Sequence, residues 1–430
     1  MEKDMGYSLE NMQKDVHEIA DVLSQKLPTQ MLKGMFHKCF VNTIDTTVQE
    51  TEDLPFVITG DIPAMWLRDS ASQVTHYLPF LKRSEALRML VRSIVQRQAR
   101  YVINDAYANA FNECANGKKG DDGDITEDNP MAWERKYEVD SLCSMIDITD
   151  SYYRASEDKT VLDETIYKAF VKILDVWETE QHHMERSPYS FQRFDCPPTD
   201  TLPHEGKGNP VGYTGMTWSG FRPSDDACTY GYLIPANMYA VVVLRKMSRL
   251  FTEIWHDEML AQRAERLAAD IDDGIQKFGI VEHEKYGKIY AYEVDGLGNH
   301  VLMDDANVPS LLSIPVIGYA SADDEIYQNT RKFVLSEDNP FYFVGTQITG
   351  VGSPHTKHGY VWPIALCIQA LTSKDTCEIE NLAQMLCTTT ADTGYMHESI
   401  DANDQKNFSR PWFAWANSLF AHMIYEKYIK

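Results

Sequence analysis

"DIPAMWLRDS" occupies residues 61–70, and its apolar positions follow neither the three-to-four-residue spacing of a helix nor the alternation of a strand. A proline interrupts the stretch, and its central Met-Trp-Leu run is more apolar than an exposed loop requires. Two acids and an arginine flank that run. We therefore predict a stiff turn that holds Trp66, Arg68 and Asp69 close together.

Five further stretches share this polar and aromatic composition, so that six clusters lie along the chain. Each combines tryptophan, tyrosine or phenylalanine with charged or polar side chains. The other five are 107–141 (containing "YANAFNE" and "WERKYEVDS"), 217–227 ("TWSGFRPSDDA"), 292–310 ("YEVDGLGNHVLMDDANVPS"), 353–363 ("SPHTKHGYVWP") and, counted as one, 394–399 with 410–415 ("GYMHES" and "RPWFAW").

The segments between these clusters have helical spacing. In 258–279, Leu260, Ala264, Leu267 and Ile271 recur every three or four residues, and a glycine ends the pattern. The other segments with this spacing are 9–27, 84–102, 140–154, 164–181, 238–251, 361–371, 379–387 and 412–428. Strand signals are short, and 187–195 and 286–296 are predicted as small β-hairpins inserted between helices.

The chain contains about one such cluster for every two predicted helices. Six helical hairpins arranged in a ring would direct six loops to a common centre, which is the geometry of an all-α (α/α)6 barrel with its site at one mouth. No low-complexity linker divides the chain. We therefore predict a single (α/α)6 domain over residues 1–430, with the short hairpins as insertions.

Composition and charge exclude several classes of function. A formal charge of −24 over 430 residues argues against binding to nucleic acid or anionic lipid, because phosphate groups need clustered cations. No apolar run approaches the roughly 20 residues that span a bilayer. The first twenty residues lack a cationic segment followed by an apolar one, and the eight cysteines form no C-x-x-C pair. A cytoplasmic protein with reduced thiols is expected.

Two interpretations fit Trp66, Arg68 and Asp69. They form a structural turn, or they form a sugar platform in which the indole covers an apolar pyranose face while Arg and Asp bind hydroxyls. Repetition of the mixture in the other clusters favours the platform. There the tryptophans are Trp133, Trp218, Trp362 and Trp412, and the charged residues near them are Glu138, Asp140, Arg222 and Arg410.

Three carboxylates are candidates for general acid–base chemistry. Asp225 and Asp226 are adjacent and precede a helix, so one of them can cap that helix while the other projects elsewhere. A like-charged neighbour raises the pKa of one carboxyl, as a general acid requires, but the residues alone do not say which. Glu398 follows His397 after a turn and is either a solvated glutamate or a partly buried base.

Metal and nucleotide sites lack their usual signatures. The acidic stretch 121–128 has its glycine misplaced for a calcium-binding loop, and the adjacent His182 and His183 would diverge on a helix. His355 and His358 are either sugar contacts or structural. Phosphate-binding glycine motifs and the serine-hydrolase G-x-S-x-G are absent from the sequence. No metal or cofactor is expected.

Eight motifs, in order, resemble those of glycoside hydrolase family 125, the exo-acting α-1,6-mannosidases with an (α/α)6 fold. The resemblance covers residues 40–420. The motifs are "TGDIPAMWLRDS", "WERKYEVDSLC", "GMTWSGFRPSDD", "YLIPANMYAVVVL", "YEVDGLGN", "MDDANVPSLL", "YVWPIAL" and "MHES".

The resemblance implies a metal-independent, inverting hydrolase that acts on α-1,6-linked manno-oligosaccharides, including fragments of N-glycans. It makes Asp225 the general acid and Glu398 the general base, and it places Arg68 and Asp69 on the terminal mannose. A monomer is expected. A place in the pocket is implied for Trp66, Glu138, Asp140, Arg222, Asp226, Asn307, His358 and Arg410.

Two departures and two alternatives accompany this expectation. The stretch "SPHTKHGYVWP" differs from the family pattern around His358, and 121–130 is interpreted as a loop peculiar to this chain. Another carbohydrate enzyme on the same barrel, such as a glucosidase, lyase or sugar epimerase, is one alternative. A non-catalytic mannoside-binding protein is the other. The presence of both Asp225 and Glu398 in their motifs argues against the latter.

Overall fold

Helices dominate the computed structural model, which describes residues 8–430. In chain order they are α1 Leu9–Ser24, α2 Gln30–Thr46, α3 Leu67–Thr75, α4 Glu85–Asn104, α5 Val139–Ser156, α6 Glu164–Glu180, α7 His183–Arg186, α8 Pro203–Gly206, α9 Ile234–Leu250, α10 Glu258–Gly274, α11 Ile314–Ile317, α12 Glu325–Val334, α13 Pro363–Thr372, α14 Thr376–Thr388 and α15 Ala414–Ile424. Five-residue π-helical turns continue α9, α10 and α15.

The helices form two concentric rings. In the inner ring each helix packs against the next and α15 closes on α3; its members are α3, α5, α9, α11, α13 and α15. An outer helix precedes each inner one along the chain, in the order α2, α4, α6, α10, α12 and α14. Outer helices pack against the inner ring, as α4 does on α5 and α10 on α9. This is the predicted (α/α)6 barrel.

Burial explains why the two rings differ in sequence. The outer helix α10 buries Leu260, Ala264, Leu267 and Ile271 along one stripe and exposes its other side. In α9 most side chains are buried, and the polar Asn237 among them donates its amide hydrogens to the carbonyls of Thr217 and Leu233, both at 3.0 Å. A helix buried on all sides loses the amphipathic pattern that reveals it in a sequence.

Short strands lie between the helices, and several of them lead into inner helices. The strands are β1 Val48–Gln49, β2 Phe56–Val57, β3 Met65–Trp66, β4 Ala110–Phe111, β5 Ala132–Glu134, β6 Tyr232–Leu233, β7 Ile280–His283, β8 Gly287–Tyr290, β9 Glu293–Val294, β10 His300–Val301, β11 Tyr342–Val344, β12 Thr349–Val351, β13 Tyr360–Val361, β14 Ser399–Asp401 and β15 Phe408–Ser409.

All of the pairings between these strands are antiparallel, in three-stranded and two-stranded sheets. The three-stranded sheets have the orders β3-β4-β5, β10-β9-β6 and β13-β14-β15. Since β3 runs directly into α3, β6 into α9 and β13 into α13, these sheets fix where the inner helices begin.

Several sequence predictions require correction. The predicted hairpin at 187–195 is wrong, because its only strand-like pairing joins Gln192 to Ile125. The predicted hairpin at 286–296 holds β8 and β9, but these belong to two different sheets. Each predicted helix exists within a few residues. Helices α2, α3 and α12 were not predicted, nor were the four-residue helices α7, α8 and α11. Within residues 8–430 no helix is long and apolar enough to cross a bilayer.

Candidate active site

The amino-terminal ends of the inner helices converge on one pocket with a cavity of about 190 Å³. The residues around it come from most of the six predicted clusters. They are Thr59, Ile62, Trp66, Arg68, Asp69, Pro223, Ser224, Asp225, Asn307, His355, Trp362, Glu398, Arg410, Phe413 and Trp415. Polar and aromatic side chains therefore share its wall.

Arg68 and Asp69 lie in the first turn of α3. The chain enters this helix directly from β3, and the backbone N–H of Leu67 donates to the carbonyl of Asn109 at 3.1 Å. The predicted stiff turn is therefore a strand-to-helix junction, and its second half is helical. Trp66, which precedes the helix, is buried against Ala64 and Ala110.

Arg68 is the centre of a buried charge network. Its Nη1 donates to Glu138 Oε2 at 2.6 Å and to Asp140 Oδ2 at 2.9 Å, and both acids begin α5. The arginine side chain is 4% exposed and the two acids are fully enclosed. Its guanidinium also lies 5.5 Å from the ring of Trp415. Because a buried charge without its partner is strongly destabilising, these three residues depend on one another.

Asp225 reaches the pocket through an unusual backbone conformation. Its φ is 68°, in the left-handed region that an aspartate adopts more readily than most residues. A tight turn closes beneath it, because Asp225 N donates to the carbonyl of Arg222 and Arg222 N donates to that of Asp226. Lys136 Nζ donates to the carbonyl of Asp225 at 3.0 Å. These contacts aim one carboxyl of the adjacent pair into the pocket.

The two adjacent aspartates have separate surroundings. The Asp225 carboxyl lies 3.6 Å from Arg68 Nη2 and accepts from Asn109 Nδ2 at 3.3 Å. Asp226 turns away and accepts from His355 Nδ1 at 3.0 Å. Asp225 therefore lines the pocket, whereas Asp226 lies behind a histidine. Burial raises the pKa of Asp226, against the hydrogen bond and charge of His355.

The pKa of Asp225 is shifted opposite to the direction expected for a general acid. Burial alone would raise it, but Arg68, Lys136 and a hydrogen bond from Glu138 lower it. Burial raises the pKa of Glu138 well above its usual value, and the charges of Asp225 and Asp140 add to this effect against Arg68. The two neighbouring carboxyls therefore have opposite pKa shifts, and burial favours the neutral form of Glu138.

His355 provides a positive charge at the pocket edge. Burial opposes its protonation, but the hydrogen bond and charge of Asp226, with the charges of Glu398 and Asp225, raise its pKa to about 9. Its side chain is about one-third exposed. The charges of both candidate catalytic carboxylates thus act on this histidine, and all three residues line the same pocket.

Glu398 is held at the start of β14 on another side of the pocket. Ser409 Oγ donates to its Oε2 at 2.8 Å, and Arg410 Nη1 lies 3.6 Å from its Oε1. Arg410 in turn donates from Nε to Asp61 at 2.9 Å. One oxygen of Glu398 is therefore fixed by a neutral donor while the residue still lines the cavity.

Asp69 adds a further carboxyl to the pocket. Burial and the charge of Asp225 raise its pKa to about 6, although Arg68 and Arg410 act in the opposite direction. On the remaining wall, Asn307 Nδ2 donates to Asp305 at 3.1 Å, and Asp305 also accepts from Ser224 at 2.8 Å. The pocket therefore offers both donors and acceptors.

The structure brings most predicted site residues together, but not all of them line the cavity. Trp66, Arg68, Asp69, Asp225, Asn307, Glu398 and Arg410 do so. Glu138, Asp140 and Asp226 lie behind this wall, in contact with it. Arg222 also stands back, bound through Nε to Glu293 at 2.6 Å and stacked over Tyr292.

The expected pocket position of His358 is wrong. Its side chain is exposed and packs edge-on against Phe343, with ring centroids 4.8 Å apart, because the turn at 353–359 presents His355 to the cavity instead. Sequence reasoning also missed residues that surround the pocket or contact its wall. These are Asn109, Lys136, Glu293, Asp305 and Trp415, which all lie within the predicted clusters but were not singled out there.

Comparison with known proteins gives a consistent result. The model of the family described as metal-independent alpha-mannosidase (GH125) matches residues 29–425. The chain is 40% identical over 433 residues to the meiotically up-regulated gene 157 protein of Schizosaccharomyces pombe (strain 972). That match covers 96% of this chain and 85% of the yeast protein.

Solved structures agree with the architecture. A metal-independent α-mannosidase of Streptococcus pneumoniae, in a non-productive substrate complex with α-1,6-mannobiose, is 42% identical, with a TM-score of 0.94 over 98% of this chain and 99% of that one. A structure described as "Glycosidase Wild Type" is 13% identical, with a TM-score of 0.59 over 93% and 99% of the two chains. The latter likeness concerns the fold alone.

Proposed function

Because the chain belongs to glycoside hydrolase family 125, the metal-independent α-mannosidases, we propose that it releases terminal α-1,6-linked mannose from manno-oligosaccharides with inversion of configuration. The linkage follows from the disaccharide bound to the pneumococcal relative, whose description concerns the processing of N-linked glycans. Oligosaccharides derived from N-glycans are therefore the proposed substrates. The observation that carries the proposal is that Asp225 and Glu398, from distant parts of the chain, line one pocket.

The two carboxyls divide the chemistry between them. Asp225 delivers a proton to the glycosidic oxygen as the bond to the next sugar breaks. Glu398 accepts a proton from a water molecule that attacks the anomeric carbon from the opposite face. For inversion the two carboxyls must stand roughly 6.5–9.5 Å apart, which leaves room for that water. Glu398 keeps Oε2 on Ser409, which leaves Oε1, 3.6 Å from Arg410 Nη1, to accept the proton of the water.

The size of the pocket supports removal of one terminal sugar at a time. A cavity of about 190 Å³ is smaller than the roughly 300–1,000 Å³ that drug-sized ligands occupy. Trp66, Trp362, Phe413 and Trp415 supply aromatic area for the apolar face of a pyranose. The charged side chains around them bind hydroxyl groups. A pocket with space for about one hexose suits the end of a chain.

The protein's own cations supply the positive charge around the reacting bond. Arg68, Lys136, His355 and Arg410 are arranged among the acids of the pocket and its wall. Their donors orient carboxylates and hydroxyls without a bound ion. Each step of the proposed reaction therefore involves only side chains and water.

A panel of linkage-defined disaccharides tests the proposal. We expect hydrolysis of α-1,6-mannobiose, with much slower hydrolysis of the α-1,2 and α-1,3 isomers and none of the α-1,6-linked glucose disaccharide. Asp225→Asn serves as the inactive control on each substrate. Faster cleavage of the glucoside, an eliminated unsaturated product or epimerisation of free mannose would contradict the proposed function and indicate another carbohydrate enzyme.

A further inference from the structure

A fully enclosed carboxyl lies directly behind the candidate acid. Glu138 Oε2 accepts from Arg68 Nη1 at 2.6 Å and from Ser141 Oγ at 2.7 Å. Its other oxygen, Oε1, lies 3.4 Å from Asn109 Nδ2, and the same nitrogen lies 3.3 Å from Asp225 Oδ1. The amide of Asn109 therefore bridges the two carboxyl groups and holds them side by side.

The contact between Glu138 and Asp225 requires a proton. One amide nitrogen, Asn109 Nδ2, lies 3.4 Å from an oxygen of Glu138 and 3.3 Å from an oxygen of Asp225, so the two carboxyls are neighbours. Two ionised carboxylates have no donor to offer each other, whereas a pair with one proton has one. Glu138 is enclosed while the Asp225 side chain is 26% exposed, so only Asp225 can meet a ligand. The pair thus connects a buried proton to the pocket surface.

Charges from every neighbouring element surround this pair. The acids around the pair, counted with it, outnumber the positive side chains, and this excess of negative charge favours retention of a proton. The facing groups are Arg68 and Asp69 of α3, Glu134 and Lys136 of the segment around β5, Asp140 of α5, and His355 of the loop before α13.

We propose that Glu138 stores the proton that Asp225 delivers to the glycosidic oxygen, so that Glu138 is a positioning residue for the catalytic proton although it does not touch the substrate. The proposal rests on the assignment of Asp225 as the acid in the proposed function. It also gives a reason for the buried position of Glu138, which a sugar contact would not require.

The protons balance over one turnover. The proton leaves Glu138 for Asp225, and Asp225 passes it to the glycosidic oxygen while the bond to the anomeric carbon breaks. Glu138 is then a carboxylate stabilised by Arg68, Ser141 and Asn109. Glu398 takes one proton from the attacking water and later releases it to solvent. The pair recovers one proton from solvent, and the net reaction consumes only water.

The opposite pKa shifts of the pair support this arrangement. Burial raises the pKa of Glu138, whereas Arg68, Lys136 and the hydrogen bond from Glu138 lower that of Asp225 despite its burial. An acid with a lowered pKa would be ionised on its own at neutral pH. Its neighbour therefore supplies the proton that the chemistry needs.

Glu138→Gln tests the proposal with two substrates. Glutamine keeps the shape and can donate a hydrogen bond to Asp225, but it cannot transfer a proton. We expect the turnover of α-1,6-mannobiose to fall by about 10²–10⁴-fold, as for loss of acid catalysis. With α-mannosyl fluoride, whose leaving group needs little protonation, the loss should be at least about tenfold smaller. Circular dichroism checks that the variant is folded.

Two further variants separate the possible results. Asp225→Asn should show the same difference between the two substrates. Asp140→Asn also loses a buried acceptor of Arg68 but leaves the Glu138–Asp225 contact, so both substrates should slow by a similar factor. If Glu138→Gln lowers both substrates equally, or neither, the stored proton is refuted. If Asp225→Asn itself shows no difference between substrates, the proposed function fails instead.

The pH profile gives an independent readout. A facing carboxyl raises the pH at which the pair loses its shared proton, so its replacement by an amide should allow Asp225 to ionise at lower pH. We expect the basic limb of kcat/KM for mannobiose to move to lower pH in Glu138→Gln. Asp140→Asn removes only a neighbouring charge that raises the pKa of Glu138, so it should move the limb less than Glu138→Gln does. An unchanged basic limb in Glu138→Gln would contradict the proposal.

Discussion

Arg68 contacts the acids of the site through both of its terminal nitrogens. Nη1 donates to Glu138 and Asp140, while Nη2 faces Asp225 at 3.6 Å. A planar guanidinium can address these groups together because its five N–H donors lie in fixed directions. The residue therefore links the start of α3 to the start of α5 and to the candidate acid.

Arg68→Lys should damage substrate binding. A lysine ammonium is a single point of charge and cannot reproduce donors on two edges. Loss of one charged hydrogen bond is worth about 1.5–3 kcal/mol, which corresponds to a roughly 10–100-fold rise in the dissociation constant of α-1,6-mannobiose. Isothermal titration in an Asp225→Asn background measures it. Arg88→Lys, in an exposed pair with Glu85, should bind normally; equal losses in both variants would contradict the role of Arg68.

Asp225→Asn and Glu398→Gln should each lower turnover without unfolding the protein. Each substitution removes one proton-transfer group, and general acid–base catalysis contributes about 10²–10⁴-fold. Asparagine also tolerates the left-handed backbone of Asp225, so the loop should keep its shape. Steady-state rates on α-1,6-mannobiose with a melting curve measure both effects. Near wild-type activity in either variant would remove that residue from the mechanism.

At this scale the sequence identified the residue types better than their positions. Motif resemblance pointed to Asp225 and Glu398, and both line the pocket. It placed His358 rather than His355 in the pocket, whereas the turn at 353–359 directs His355 inward. The partners of Arg68 lie 70 and 72 residues away along the chain, and no local pattern reveals a contact over that distance.

At the scale of elements, the outer helices mainly stabilise the barrel, whereas the inner helices carry the functional side chains. Outer helices bury apolar stripes against the inner ring, as α10 does against α9. The amino-terminal ends of the inner helices carry the functional side chains, and short strands fix where these helices start. A substitution in an outer helix should therefore affect folding more than catalysis.

Ile271→Ala in α10 tests that separation. Ile271 is fully buried, and truncation of a buried isoleucine leaves a cavity that costs about 2–5 kcal/mol of the free energy of unfolding. We expect a lower melting temperature with kcat unchanged at 25 °C. Met259→Ala on the same helix, where the side chain is 73% exposed, should melt like the wild type. Loss of kcat in a folded Ile271→Ala variant would show that the outer helices affect the chemistry.

How well a helix could be predicted from the sequence depended on whether it belongs to the outer or the inner ring. The outer helix α10 has a clear apolar stripe, and its prediction at 258–279 matched the observed helix and its π-helical end. Helix α3 was missed, since seven of its nine residues are buried, among them Arg68, Asp69 and Gln73. Burial of charged residues removes the pattern of polar and apolar positions. The short strands were predicted poorly because their partners are distant in sequence.

At the scale of the whole molecule, a segment from the first part of the chain (59–61) meets one from its last part (410–414) at the site. The carbonyl of Thr59 accepts from Ala414 N at 3.0 Å, and Asp61 N donates to the carbonyl of Trp412. Arg410 Nε donates to Asp61 at 2.9 Å on the same side. The loops before α3 and α15 are thereby joined, which closes the ring beside Glu398.

Removal of metal ions should leave the enzyme active. The charges that orient the acids come from Arg68, Lys136, His355 and Arg410, which a chelator does not extract. We expect unchanged hydrolysis of α-1,6-mannobiose after exhaustive dialysis against EDTA. A loss of activity that calcium or zinc restores would contradict this account.

Proton NMR of the hydrolysis of methyl α-1,6-mannobioside, whose second sugar leaves as a methyl glycoside and adds no free mannose, tests the central claim most directly. If Asp225 and Glu398 act from opposite faces of one mannose, water replaces the leaving sugar with inversion, and the first mannose released must be the β-anomer. The signal of the α-anomer should then grow only as mutarotation proceeds. Initial release of the α-anomer would mean retention, which requires carboxyls only about 5–5.5 Å apart, and would contradict the proposed mechanism.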